Sequence, residues 1–255
     1  MIILDDKRLS ALIPELFKKV QTSDLPGTYI FEYICYAFVN NNLHATTVYF
    51  HEPEWLTPFN SLKQRKDLLL FLLKALGDSF NEEVFMPNGN LIRVDPSFCS
   101  CDSSNIMRLE MGYDRQNAIE QSAYIRSLIA YVCGKKNTRK IEELLPSIPA
   151  YHSAIELDIE KKIPIALRLY FSLTKENNKA FLGITISNTG KIIARKTYFY
   201  INKNVLEKFP CFPTDLGMVP EYTAEKQTLQ QREQKIYLFN SWWKRTINAD
   251  FNKDI

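Results

Sequence analysis

Between residues 163 and 202 apolar and polar side chains alternate with the period of an extended strand. Ile165, Leu167, Leu169 and Phe171 fall on one face, while Arg168 and Tyr170 fall on the other. Three strands are predicted there, over Ile163 to Leu173, Ala180 to Ser187 and Lys191 to Ile201. The last two are separated by Asn188, Thr189 and Gly190, a three-residue loop in which glycine takes the left-handed position. Strands joined in this way run antiparallel, so the segment reads as a β-meander.

Elsewhere helical spacing dominates. Leu9, Leu12, Leu16 and Phe17 predict a short helix over about 7–20, interrupted by Pro14. Ile30, Phe31, Ile34, Cys35 and Phe38 suggest a second helix, stopped by Asn40, Asn41 and Asn42 and followed by a strand from Ala45 to Phe50. Ser61 is a candidate N-cap for a helix over 62–76 that ends at Gly77. Two short strands, Leu91 to Val94 and Ile106 to Met111, read as a hairpin preceded by the turn cluster Pro87–Asn90. From a cap at Asp114, the residues Ala118, Ile125, Leu128, Ile129 and Val132 recur on one helical face, and Gly134 closes the helix. A final helix over about 223–248 would bury Leu229, Ile236, Phe239, Trp243 and Ile247. Strands and helices do not alternate regularly, so the expected class is α+β with about five helices around the meander and the hairpin. The stretch LPSIPAYHS offers a boundary between a mainly helical region, 1–150, and the meander with its C-terminal helix, 151–255; the alternative is one domain over the whole chain.

Composition places the chain among globular proteins, with 45% hydrophobic and 24% charged residues. Only 8 glycines are present, and neither GxGxxG nor GxxxxGK[ST] occurs, which argues against dinucleotide and P-loop sites. GxSxG and HExxH are absent as well. The acidic N-terminal sequence does not resemble a signal peptide, and the most apolar run, Leu68 to Leu76, is too short to span a bilayer. Five scattered cysteines suit reduced thiols, so a cytoplasmic protein without a membrane span is expected. A net charge of +3 permits contact with nucleic acid without requiring it.

Two features favour DNA or RNA as a partner. One is the polar face of the meander, where Arg168, Tyr170, Lys196, Tyr198 and Tyr200 combine cations with aromatic rings, the pairing on which single strands stack. Tyrosines also pair across ordinary sheets, and the same register leaves Arg195 on the apolar side. The other feature is the basic run Lys135, Lys136, Arg139 and Lys140, with Arg115 and Arg126 on the preceding helix. Cations at a helix C-terminus also complement its dipole. The leading expectation is therefore a nucleic-acid-binding protein with no catalytic activity and no cofactor. The first alternative is a protein-interaction subunit of a larger assembly, with Trp242, Lys244 and Arg245 as contacts. The second is a metal-dependent nuclease using Asp95 with Glu110, or Glu156, Asp158, Glu160 and Lys162. Both carboxylate groups read more simply as solvated strand ends. Neither Cys99 with Cys101 nor His51 with Glu52 and Glu54 has the spacing of a zinc site, so no metal ligands are assigned.

Overall fold

A computed structural model of the chain describes residues 30–40, 42–51, 62–85, 93–99, 106–112, 118–173, 180–200 and 218–240. Ten strands follow one another as β1 (Ile30–Val39), β2 (Asn42–His51), β3 (Arg93–Cys99), β4 (Ile106–Gly112), β5 (Ala150–Asp158), β6 (Ile163–Ser172), β7 (Ala180–Ser187), β8 (Ile192–Tyr200), β9 (Met218–Thr228) and β10 (Arg232–Asn240). Each pairs antiparallel with its sequence neighbours, and β10 returns to pair with β1, so the sheet closes into a barrel. Closure removes the unpaired edges an open sheet would expose. Four α-helices accompany the strands among the described residues: α1 (Leu62–Leu76), α2 (Glu82–Phe85), α3 (Ala118–Cys133) and α4 (Thr138–Glu142). None is long and apolar enough to cross a membrane.

The α+β expectation is thereby corrected: the molecule is mostly one closed antiparallel sheet, with few and mostly short helices. The meander at 163–202 is present as β6, β7 and β8, and Gly190 has φ of +82° in the β7–β8 loop. A Cβ on Gly190 would also lie 3.1 Å from Asn137, so that position suits glycine for two reasons. The hairpin expected near 91–111 is β3 with β4, and the helices expected at 62–76 and 114–133 are α1 and α3. The helix expected over 27–38 is instead β1. Its outward residues Ile34, Tyr36 and Phe38 and its inward residues Cys35 and Ala37 are all buried, so apolar residues on both faces satisfied a helical and a strand period alike. Asn40, expected to stop a helix, turns β1 into β2 with φ of +50°.

The largest correction concerns the C-terminal helix, which is the hairpin β9–β10. Leu229, assigned to its apolar face, is 76% exposed at the turn, where Thr228 N–H donates to Gln231 O at 2.9 Å. Ile236 and Leu238 point outward and Tyr237 and Phe239 inward, again giving a run that is apolar on both sides. The break expected near residue 150 falls between β4 and β5, which pair from Ile106 with Asp158 to Gly112 with His152. The helix expected at 7–20, the Asp114 cap, Arg115, Trp242, Trp243, Lys244 and Arg245 lie outside the described residues.

The main apolar core lies between the barrel and its helices. Outward residues Met107, Leu109, Met111, Ile155, Leu157, Leu167, Leu169, Phe171, Ile184 and Ile186 pack with Leu72 and Leu76 of α1, Val84 and Phe85 of α2, and Leu128 and Ile129 of α3. Gly134, with φ of +82°, ends α3, and Asn137 Nδ2 donates to Cys133 O at 2.7 Å to satisfy a terminal carbonyl. Because strand side chains alternate, every outward residue in this core leaves a neighbour pointing into the barrel.

Candidate functional site in the barrel lumen

The inward set is of a different chemistry. Small residues recur on it: Cys35, Ala37, Ala45, Thr47, Cys99, Ala154, Ala166, Gly183, Thr185, Ala194 and Ala224 are all buried. Eight strands make a barrel just wide enough for side chains to fill, and ten enclose more. Between the small residues stand large polar and aromatic ones, arranged in three groups.

The first group surrounds Glu156 on β5. Arg108 on β4 donates Nε and Nη2 to Glu156 Oε1 at 3.1 and 3.0 Å, and Arg168 on β6 donates Nη2 to the same oxygen. Arg108 Nη1 reaches Ser97 Oγ at 3.3 Å. Burial would raise the Glu156 carboxyl, but the two guanidiniums outweigh it and hold the group down at about 2. Arg168 Nε is buried with no hydrogen-bond partner.

The second group lies on β8, β9 and β10. Glu233 accepts from Lys226 Nζ at 3.3 Å on one oxygen and from Lys235 Nζ at 3.3 Å on the other. Burial opposes its ionisation, yet Lys235 and Lys226 hold the carboxyl down at about 2. Lys196, opposite Lys226 in the strand register, is 6% exposed and has no carboxylate partner among the described residues. Its Nζ donates to Tyr237 Oη at 2.7 Å and lies 4.9 and 5.5 Å from the ring centroids of Tyr198 and Tyr237. Burial, with the charges of Lys235 and Arg168 adding to it, pushes the ammonium well below the ordinary lysine range. Lys226 is lowered for the same first reason, burial, and again by Lys235.

The third group is aromatic. Tyr33, Tyr49, Tyr237, Tyr198 and Tyr170 form a chain around the lumen with centroid separations of 5.7 to 6.4 Å, and Phe181 stacks on Tyr198 at 4.0 Å. Burial raises the Tyr170 hydroxyl to about 12 and that of Tyr198 further, so both stay neutral. Gly183 sits behind two of these rings: a Cβ there would lie 3.3 Å from both Tyr170 and Tyr198. At the edge of this wall His152 Nε2 meets Glu110 Oε2 at 2.8 Å, and the His152 ring lies 5.3 Å from that of Tyr170.

Among the described residues the lumen thus holds more cations than carboxylates. Arg108, Arg168, Lys196, Lys226 and Lys235 face Glu156 and Glu233, while Glu110 is engaged by His152 and Glu221 accepts from Tyr33 at the barrel end. Buried cations without counter-charges are costly, and an anion entering among them would supply what the protein does not. Allowing for rings around the same space, the ligand that suits it carries an anionic head and an apolar or cationic body.

Four of the sequence-predicted residues meet here, Arg168, Tyr170, Lys196 and Tyr198, but on the inside of a closed barrel and not on an exposed platform. Tyr200 pairs with Tyr222 at the end of β8. On the opposite side of that strand Arg195 is exposed and Phe199 is 46% exposed, so that face is not core as the register had suggested. The basic run is elsewhere, outside the barrel. Lys135, Lys136, Arg139 and Lys140 are exposed, Arg139 pairs with Glu143 at 3.2 Å, and Arg126 pairs with Glu142 at 2.8 Å. Asp95 and Glu110 do sit opposite each other on β3 and β4. Glu156, expected at a solvated strand end, is half-buried between arginines, whereas Asp158 binds Lys161. Among the described residues no three His, Cys, Asp or Glu side chains converge as a metal site requires. Sequence reasoning missed Arg108, His152, Lys226, Glu233, Lys235 and Tyr237. The period-two series Glu233, Lys235, Tyr237, Phe239 was the available signal.

No protein-family model matches the chain, and no curated protein matches it in sequence. Its fold is that of a known synthase. The chain superimposes on the crystal structure of 5-dimethylallyltryptophan synthase from Streptomyces coelicolor with a TM-score of 0.54, covering 82% of this chain and 80% of that one at 11% identity. At that identity the likeness is one of architecture.

Proposed function

We propose that the lumen transfers an isoprenoid group from its diphosphate ester to an aromatic acceptor. The observation that carries this reading is Lys196, a buried amine among further cations and directly against two tyrosine rings. A diphosphate supplies the missing negative charge. Breaking the allylic C–O bond leaves that charge on the diphosphate, where Lys196, Lys226, Lys235 and Arg168 stabilise it as it develops. The allyl fragment then carries a positive charge, and the faces of Tyr198, Tyr170 and Tyr237 stabilise it while excluding water. The neighbour's name describes a dimethylallyl group joined to tryptophan, which supports the same pairing of donor and acceptor here.

The test is direct. Purified protein incubated with dimethylallyl diphosphate and tryptophan, or with a panel of indoles and phenols, is expected to release inorganic diphosphate and yield an acceptor heavier by one isoprene unit. Neither product forming would reject the proposal. Buried thiols at Cys35 and Cys133, outside any disulfide, support a reducing, cytoplasmic setting.

A second reading, nucleic-acid binding by the outer basic segment, is supported by the exposure of Lys135, Lys136 and Lys140. It predicts binding that weakens steeply with salt and falls when these three become alanine. The lumen residues would contribute nothing to it.

A further inference from the structure

Resting on that reading, we infer that His152, held by Glu110, is the base that removes the proton from the acceptor after the isoprenoid group is attached. Three observations support this assignment. Glu110 is held below the ordinary carboxylate range against burial by its hydrogen bond to His152, so it is ionised and can only accept. The hydrogen between them therefore belongs to His152 Nε2, and in the neutral imidazole the lone pair lies on Nδ1, which has no partner among the described residues. The imidazole is also reachable: the His152 side chain is 29% exposed against 13% for Glu110, so the carboxylate is the inner, orienting member of the pair.

The third observation is the order of groups along the lumen wall. His152, Tyr170, Gly183, Lys196 and Lys226 occupy consecutive strands at matching register positions. The imidazole lies 5.3 Å from the Tyr170 ring, Tyr170 lies 6.1 Å from Tyr198, and Lys196 Nζ lies 4.9 Å from Tyr198. Cation, aromatic wall and base thus follow the order of leaving group, allyl cation and acceptor. Separation matters, because a base beside the diphosphate-binding lysines would lose its proton affinity to their charge and could compete for the allyl cation.

The step balances without a redox partner. The donor C–O bond breaks heterolytically and its electron pair leaves with the diphosphate. A π pair of the acceptor ring forms the new C–C bond to the allyl carbon. The C–H bond at that ring carbon then breaks, its proton passes to His152 Nδ1, and its electron pair restores the aromatic ring. Glu110 stabilises the imidazolium that results, as an acid beside a catalytic histidine does.

The test compares H152Q and E110Q with the wild type, using dimethylallyl diphosphate as donor and, as acceptor, tryptophan or the panel member that reacts. Removing a general base lowers the rate by about 100-fold or more. In H152Q the transfer kcat is expected to fall by that factor while the KM for the donor is unchanged and slow hydrolysis of the donor persists. An acceptor deuterated at the substituted carbon should show little isotope effect with the wild type and a clear normal one with H152Q, because proton removal then limits the rate. A merely structural histidine would not produce that change. E110Q is expected to show the same isotope signature with a smaller fall in kcat, and serves where H152Q does not fold, folding being checked by diphosphate binding. Transfer by either variant at the wild-type rate, or loss of donor hydrolysis together with transfer in a folded variant, overturns the inference and leaves the proposed function standing. No product from the wild type with any acceptor removes both.

Discussion

The two faces of β6 show how one strand serves two purposes. Its outward residues Leu167, Leu169 and Phe171 are buried in the apolar core against the helices. Its inward residues Arg168 and Tyr170 are nearly as buried, yet one guanidinium nitrogen is unpartnered and the nearby Lys196 has no counter-charge among the described residues. The outer face packs apolar side chains, whereas the inner one buries charge. Burial alone would make both look like core; what separates them is charge, and the surplus of buried cations among the described lumen residues points to a ligand.

Breaking the compensated part of the lumen should have the largest effect. Glu156→Ala leaves Arg108 and Arg168 buried without a carboxylate and is expected to cost about 3–5 kcal/mol in denaturant unfolding. The same site gives a pH dependence. Its folded carboxyl titrates at about 2, below an ordinary glutamate near ~4.3, so its contribution is present above the unfolded value and lost as pH falls towards 2. Glu233 behaves alike. Stability measured downward from pH 5 should decline steeply in the wild type and less so in Glu156→Gln.

On the outer face, Leu169→Ala removes a fully buried side chain and should destabilise by about 3 kcal/mol, with no loss of diphosphate binding in the protein that remains folded. Lys196→Met reverses the pattern. It replaces an uncompensated buried amine by an apolar chain of similar length and should raise stability by about 1 kcal/mol while abolishing binding. Smallest of all is Arg126→Ala, which removes an exposed ion pair with Glu142 and should change stability by less than ~0.5 kcal/mol.

The sequence made some of this legible and concealed the rest. The alternation in β6 and the Asn188–Gly190 loop identified a real meander, and Arg168, Tyr170, Lys196 and Tyr198 were recognised as one group, whereas the face of β8 assigned to the core is exposed at Arg195 and Phe199. What could not be read was closure. Pairing of β10 with β1 joins residues some two hundred positions apart and turns an outer face into a lumen. Strands buried on both faces, such as β1 and the 236–239 end of β10, lose the polar half of their alternation and then fit a helix as well as a strand. Glu156 was hidden for a related reason: a carboxylate in the charged stretch 156–162 resembles a solvated end until its cross-strand partners are known.

The most direct test of the lumen as an anion site is calorimetric titration of inorganic diphosphate into the wild type and into Lys196→Met. The account predicts saturable binding to the wild type, weakened by salt, and a loss of about 100-fold or more in a variant that is at least as stable. Equal binding to both proteins, or none to either, would contradict it.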